Sequence, residues 1–228
     1  MYKRILLKIS GEVLSNDGQP VCIPALNKTA KDIKALRDRG VEIGIVIGGG
    51  NIMRGRNAGE LDRNRMDNMG MLATAINSLA LQEALRLENV PSVVFSAIEM
   101  QRFCETFSAR AAVEALNLGK IVIFACGTGC PFFSTDTAAA LRAAEIGADA
   151  LLLAKSIDAV YSADPNTDPS AVRYERISYD RVISENLQAT DLTAITLCKE
   201  QHIAIKLFAL DKILDAVDGV KTGTIISY

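Results

Sequence analysis

Val41-Glu42-Ile43-Gly44-Ile45-Val46-Ile47 runs without a break into Gly48-Gly49-Gly50-Asn51-Ile52-Met53-Arg54-Gly55. A short apolar run with little alternation reads as a central strand covered on both faces. The three glycines that follow let backbone amides approach an anion with no Cβ in the way, and Arg54 adds a planar fork for its oxygens. Working outward, the pattern Pro24 to Arg39 before this strand is helical and stops at Gly40. Met66 to Leu87 after it is helical and stops before Pro91. Further strand-like runs are Arg4 to Ile9, Ser92 to Ala97, Lys120 to Ala125, Ala150 to Ala154 and Ile203 to Phe208. A third helix spans Asp136 to Ile146 and ends at Gly147. Glycine just past a helix with a basic residue in its last turn is a stop signal. Strands alternating with helices imply an α/β fold, a mainly parallel sheet between helical layers. No repeat, low-complexity tract or linker divides the chain, so residues 1–228 read as one domain.

The composition narrows the function. Of 228 residues, 49% are apolar and 23% charged, as in folded proteins, and the net charge is −2. No basic run points to a nucleic-acid partner. The apolar stretch behind Lys3 and Arg4 is only three residues long, too short for a secretory signal, and none approaches a membrane span. The expected place is the cytoplasm. Five cysteines, at 22, 104, 126, 130 and 198, form no disulfide framework. Cys126 and Cys130 are four apart, but no second pair follows and His202 is the sole histidine, which disfavours a zinc quartet. His202 precedes a strand-like run and reads as structural, so histidine-based hydrolases are disfavoured too.

In such a sheet, ligands sit beyond the carboxyl ends of the strands. Four of these ends are unusual. The first carries Lys8, Ser10 and Gly11, and the second is the glycine loop. The strand at Lys120 to Ala125 opens into Cys126-Gly127-Thr128-Gly129-Cys130-Pro131-Phe132-Phe133-Ser134-Thr135-Asp136, which joins hydroxyls, aromatic rings and a carboxylate at a helix N-terminus. The fourth brings Asp158, Tyr161 and Asp164. Alone each is weak: Lys8 reads as a snorkelling lysine, Phe132 and Phe133 as core. Neither G-x-x-x-x-G-K-[ST] nor G-x-G-x-x-G is present. Their convergence on one sheet edge is what points to phosphate chemistry.

Five ordered motifs resemble those of the bacterial UMP kinases, a family of amino-acid-kinase fold. They are Lys8 to Glu12, Gly48 to Gly55, Asp67 to Thr74, Gly127 to Thr137 and Tyr161 to Pro165. The resemblance implies a three-layer α/β/α sandwich and transfer of the γ-phosphoryl group of ATP to UMP with Mg²⁺. It implies Lys8, Arg54 and Asp136 as catalytic residues. Lys8, Ile9, Ser10, Gly11, Gly50, Arg54, Lys155, Tyr161 and Asp164 would hold ATP, although the sequence around Lys155 departs from the family pattern. Gly49, Asp67 and the run Thr128, Gly129, Cys130, Pro131, Phe132, Phe133, Ser134 and Thr135 would hold UMP. No residue is implied as a direct metal ligand. It further implies a homohexamer, with the helix Met69 to Leu85 as a contact, inhibition by UTP, and GTP as a candidate activator, although Gln82 stands where an arginine often serves that site. Two other departures are Cys126 and Cys130, in place of the family's glycine and asparagine, and Ala159 in place of a glycine. If the turn at Ala159 needs φ > 0, that change costs about 1 kcal/mol. Two rivals are a same-fold kinase for a carboxylate or carbamate, and a non-catalytic anion-storage or nucleotide-sensing protein. The aromatic pair at 132–133 disfavours the first, and Lys8, Arg54 and Asp136 the second.

Overall fold

The computed structural model describes residues 2–16, 18–53, 61–188, 190–217 and 222–228. Arg54, expected at the catalytic centre, lies outside the described residues. Parallel strands β1 (Arg4–Ile9), β2 (Glu42–Ile47), β3 (Ser92–Ser96), β5 (Ile121–Ala125), β6 (Ala150–Lys155) and β10 (Ala204–Ala209) follow the apolar runs to within a residue or two. With the short β4 (Glu105–Thr106), β9 (Arg176–Ser178) and β11 (Thr224–Ser227), they make a nine-stranded sheet among the described residues. Its order is β4-β3-β5-β2-β1-β6-β10-β11-β9. Among the described residues of this sheet, only the β10–β11 pairing is antiparallel. A separate antiparallel pair, β7 (Val160–Tyr161) and β8 (Arg173–Tyr174), stands beyond β6.

The unbroken apolar runs are explained by the pleat. Successive residues point to opposite faces, and both faces are covered. Ile5, Leu7 and Ile9 pack with Ile43, Ile45 and Ile47 under α1 (Ile23–Arg37), α2 (Arg63–Leu87) and α7 (Ile213–Val217). Leu6, Val46 and Leu151 pack on the other side. There they meet α3 (Ala109–Asn117), α4 (Thr135–Glu145), α5 (Tyr179–Ser184) and α6 (Leu192–Glu200). The three-layer α/β/α arrangement follows.

Four helices, α3, α5, α6 and α7, carry at most nine residues each and were not singled out in the sequence. Three of them have side-chain caps. Ser108, Ser178 and Asp191 each accept a hydrogen bond from a first-turn amide, at Ala111, Arg181 and Ala194. Asn89, Asn186 and His202 adopt φ of 57°, 49° and 57° just beyond α2, α5 and α6. His202 therefore ends a helix, its ring 5.1 Å from that of Tyr228. No described helix is long and apolar enough to cross a membrane.

Candidate active site

The carboxyl ends of β1, β2, β5 and β6 lie side by side, so the loops singled out in the sequence meet along one edge. Lys8 is the penultimate residue of β1 and shares Leu6's face, under α4. Asp136 stands in the first turn of α4, where a carboxylate is favoured by the helix dipole. The two meet with Lys8 Nζ 2.7 Å from Asp136 Oδ1. Lys155, at the end of β6, brings its Nζ to 2.8 Å from Asp136 Oδ2, and the Thr190 hydroxyl donates to that same oxygen at 2.6 Å. Lys8 and Asp136 are both buried. Burial works to raise the Asp136 pKa, but the ammonium groups of Lys8 and Lys155 more than offset it and hold the carboxyl well below the usual carboxylate range. The charges thus persist in a water-poor setting, where their effect on a ligand is strongest. Removing Asp136 would leave the Lys8 and Lys155 ammonium groups without their counter-ion.

Ser10 and Gly11 follow β1 directly. The Ser10 hydroxyl caps a 3₁₀ turn over Gly11–Leu14 by accepting from the Glu12 amide. Ile9 is a core residue through its side chain, so only its backbone faces the site. In the glycine loop, a Cβ on Gly49 would come within 2.8 Å of Gly70 O and 2.9 Å of Ala73 Cβ. Glycine there lets α2 lie directly on the loop, which brings Asp67 over it.

Between α2, the glycine loop and the segment 127–135 is a cavity of about 420 Å³. Of the residues expected at the acceptor, Gly49, Asp67, Thr128, Cys130, Phe133, Ser134 and Thr135 line it. Gly50, expected at the donor, lines it too. Gly129, Pro131 and Phe132 are not among its lining residues. Phe132 is 66% exposed and holds φ 71°, and its amide donates to Asp67 Oδ2 at 2.9 Å. The same carboxylate is paired with Arg63 at 3.0 Å. Neither phenylalanine of the pair is core: Phe133 is 54% exposed. Cys126 is buried in the left-handed region at φ 62°, and burial raises its thiol pKa, whereas Cys130 is exposed on the cavity wall.

A second cavity, of about 380 Å³, is lined by Tyr161 and Asp164 together with Ala159 and the segment 185–188. Tyr161 donates to Asp158 at 2.9 Å, which raises its pKa. Asp164 accepts from the Asn166 amide at 2.9 Å and so also shapes its own turn. Ala159 does not have positive φ, so the cost conditionally assigned to it does not arise.

Sequence reasoning missed several supporting residues. Asp191 accepts from the hydroxyls of Ser134 and of Thr137, the latter at 2.8 Å, and joins the N-termini of α4 and α6. Arg142, buried, donates to Gly127 O at 3.2 Å with its guanidinium 3.8 Å over the Phe107 ring. The Thr74 hydroxyl accepts from the Cys126 amide at 2.8 Å. Of these, Thr74 had a signal: Asp67, Gly70 and Thr74 recur at helical spacing on one face of α2.

The chain is similar over its full length to several solved structures. It shares 39% identity with UMP kinase from Ureaplasma parvum, covering 100% of both chains at a TM-score of 0.94. With UMP kinase from Bacillus anthracis it shares 36%, covering 99% of this chain and 96% of that one, at a TM-score of 0.94. Uridylate kinase from Archaeoglobus fulgidus is more distant, at 29% identity, 98% and 99% coverage and a TM-score of 0.75. The model of the amino acid kinase family matches residues 3–208, across the sheet edge that carries Lys8, the glycine loop and Asp136, and the chain belongs to that family.

Proposed function

We propose that this chain is a UMP kinase, transferring the γ-phosphoryl group of ATP to UMP to give ADP and UDP, in the supply of pyrimidine nucleotides. The observation that carries the reading is the placement of the acceptor-sized cavity beside the Lys8–Asp136–Lys155 cluster. Phosphoryl transfer needs positioning and the neutralisation of spreading negative charge rather than covalent help. Lys8 and Lys155 each have three N–H donors and can turn some toward phosphate oxygens while keeping Asp136 as counter-ion. The Ser10 and Gly11 backbone, with Gly50, supplies further donors, and Tyr161 and Asp164 offer the adenine nucleotide a pocket. Arg54, by resemblance, joins them at the transferring group. On the acceptor side, Asp67 takes the ribose, and Gly49 and the 128–135 segment enclose the phosphate and base. The acceptor phosphate oxygen is already ionised, so no general base is required.

The donor set suits Mg²⁺ that arrives with the nucleotide. Asp136 Oδ1 is buried with Lys8 Nζ at 2.7 Å as its partner, and a carboxylate oxygen has lone pairs to spare for an ion or its waters. Magnesium commonly needs only one or two carboxylates besides substrate phosphates. When bound, the ion adds charge neutralisation at the phosphates, with Asp136 holding it or its waters.

Incubating the purified protein with ATP, Mg²⁺ and each of UMP, CMP and AMP tests the reading. UMP should be phosphorylated far better, because a cavity built for one base edge leaves polar groups unpaired with another. Equal turnover of UMP and CMP would sink it. The same reading places the enzyme in the cytoplasm and makes UTP a competitive-looking inhibitor. Its uridine would take the acceptor site and its extra phosphates would reach Lys8 and Arg54. GTP is a candidate activator, and a homohexamer is the proposed assembly. Met69, Leu72 and Ile76 leave an exposed apolar stripe on α2 that supports a subunit contact. A monomeric mass at micromolar concentration would count against it.

A further inference from the structure

Asn77 lies three residues beyond Thr74 on the same face of α2 and, like its neighbours Thr74 and Ser78, is a polar residue buried in the helix. Its Nδ2 donates to Gly48 O at 2.7 Å and to Asn51 Oδ1 at 2.8 Å, and its Oδ1 accepts from Asn51 Nδ2 at 3.1 Å. Asn51 Nδ2 also donates to Pro20 O at 2.6 Å. Both amide hydrogens and the carbonyl of Asn77 are therefore engaged. The backbone of Gly11 presses on this pair. A Cβ there would meet Asn51 Oδ1 at 2.2 Å, Gly48 O at 2.4 Å and Asn77 Nδ2 at 2.9 Å. Gly48 N donates in turn to Ile9 O at 3.0 Å, closing the ring of contacts between the ends of β1 and β2.

An apolar side chain would fill the same space but leave Gly48 O and the Asn51 amide without their partner, so the amide ties α2 to the glycine loop. A fully satisfied buried network has one low-energy arrangement and so fixes the backbone around it. The backbone it fixes consists of the two loops that the proposed reaction brings together, Ser10–Gly11 on the donor side and Gly48–Gly50 beside the acceptor. We infer that Asn77, acting through Asn51, is a positioning residue that sets the spacing between the donor-phosphate loop and the glycine loop. The inference rests on the phosphoryl-transfer reading for its kinetic consequence, but not for its structural one. Neither asparagine touches the reacting atoms by itself. Their effect falls on alignment, which the transition state feels more than either ground-state complex does.

Asn77→Ala, Asn51→Ala and the double variant test this by steady-state kinetics with ATP and UMP. The expected result is a kcat lower by about tenfold or more, since misplacement on the order of 1 Å costs up to about 10²-fold. Both KM values should stay within about threefold. The double variant should be no worse than the more affected single one, because two halves of one contact do not add. Asn51 is only half-buried, so Asn51→Ala decides the matter if Asn77→Ala does not fold. Leu81→Ala, one turn further along α2 and fully buried, is the control. It should lower the melting temperature yet keep its kcat below that temperature, which separates positioning from lost stability. Two kinetic results overturn the inference: a kcat within about twofold of parental in the folded variants, or a loss confined to KM. A second readout is independent of turnover. Amide exchange at residues 10–12 and 48–50 should rise about tenfold in Asn51→Ala, and unchanged exchange overturns the inference even if the parental protein does not phosphorylate UMP. Parental inactivity toward UMP counts against the proposed function alone.

Discussion

The floor of the site and its acceptor wall are made in opposite ways. The floor, Lys8, Asp136 and Lys155, stands on two strand ends and a capped helix turn, and its ion pairs are closed within 2.8 Å. The wall, residues 126–133, is irregular. Cys126, Gly127, Gly129 and Phe132 have φ of 62°, 58°, 80° and 71°, and Phe132 and Phe133 face solvent. The difference teaches where rigidity is needed. Charge stabilisation works when donors are in place before the reaction, which favours side chains locked by regular structure. On the proposed function the wall admits a nucleotide and releases its product, which favours a loop whose hold is local. Among the described residues its ties to the scaffold include Asp67 to the Phe132 amide, Thr74 to the Cys126 amide and Arg142 to Gly127 O.

If this contrast is right, damage to the floor should appear in kcat and damage to the wall in KM. The largest effect is expected from Asp136→Asn and from Lys8→Ala, each lowering kcat by roughly 10²-fold or more with smaller changes in KM, as for lost preorganised donors. Near-parental turnover in both would erase the floor as a catalytic element. Asp67→Ala should raise the KM for UMP by about tenfold, the scale of one charged hydrogen bond, and alter kcat less. A kcat loss larger than the KM effect would group Asp67, which holds the wall from α2, with the floor instead.

Acid sharpens the comparison next. The Asp136 pKa is depressed in the folded protein, so the carboxylate contributes stability in full above the ordinary aspartate range. That contribution is lost as pH falls below about 4 toward the folded value. The gap between the denaturant midpoints of the parental protein and of Asp136→Asn should therefore hold steady above about pH 4 and narrow progressively as pH falls further, through pH 3 and below. A constant gap would mean that the pairing adds nothing to stability. The smallest effect belongs to the wall. Phe132→Asn puts a residue that tolerates the left-handed region at an exposed position, and should raise stability by about 0.5 kcal/mol. A drop of more than about 1 kcal/mol would show that the ring packs against something.

The apolar runs, the glycine loop and the hydroxyls and carboxylates at strand ends were legible in the chain. Each is a local property, set by side-chain periodicity or by backbone freedom within a few residues. That sufficed for the parallel sheet, for its three long helices, and for the expectation that Lys8, the glycine loop and Asp136 share one edge. What needed the tertiary structure is the set of contacts between residues far apart in sequence. Asp136 receives Lys8, Lys155 and Thr190, and Asp191 joins two helix N-termini. Asn77 meets Asn51 and the carbonyl of Gly48 across 26 and 29 positions. The left-handed Phe132 and Cys126, and the ordinary backbone of Ala159, belong with these. No local signal marks such pairings, because a hydrogen bond or ion pair in a buried site is decided by where the backbone carries its partners, and that is settled only once the layers have packed.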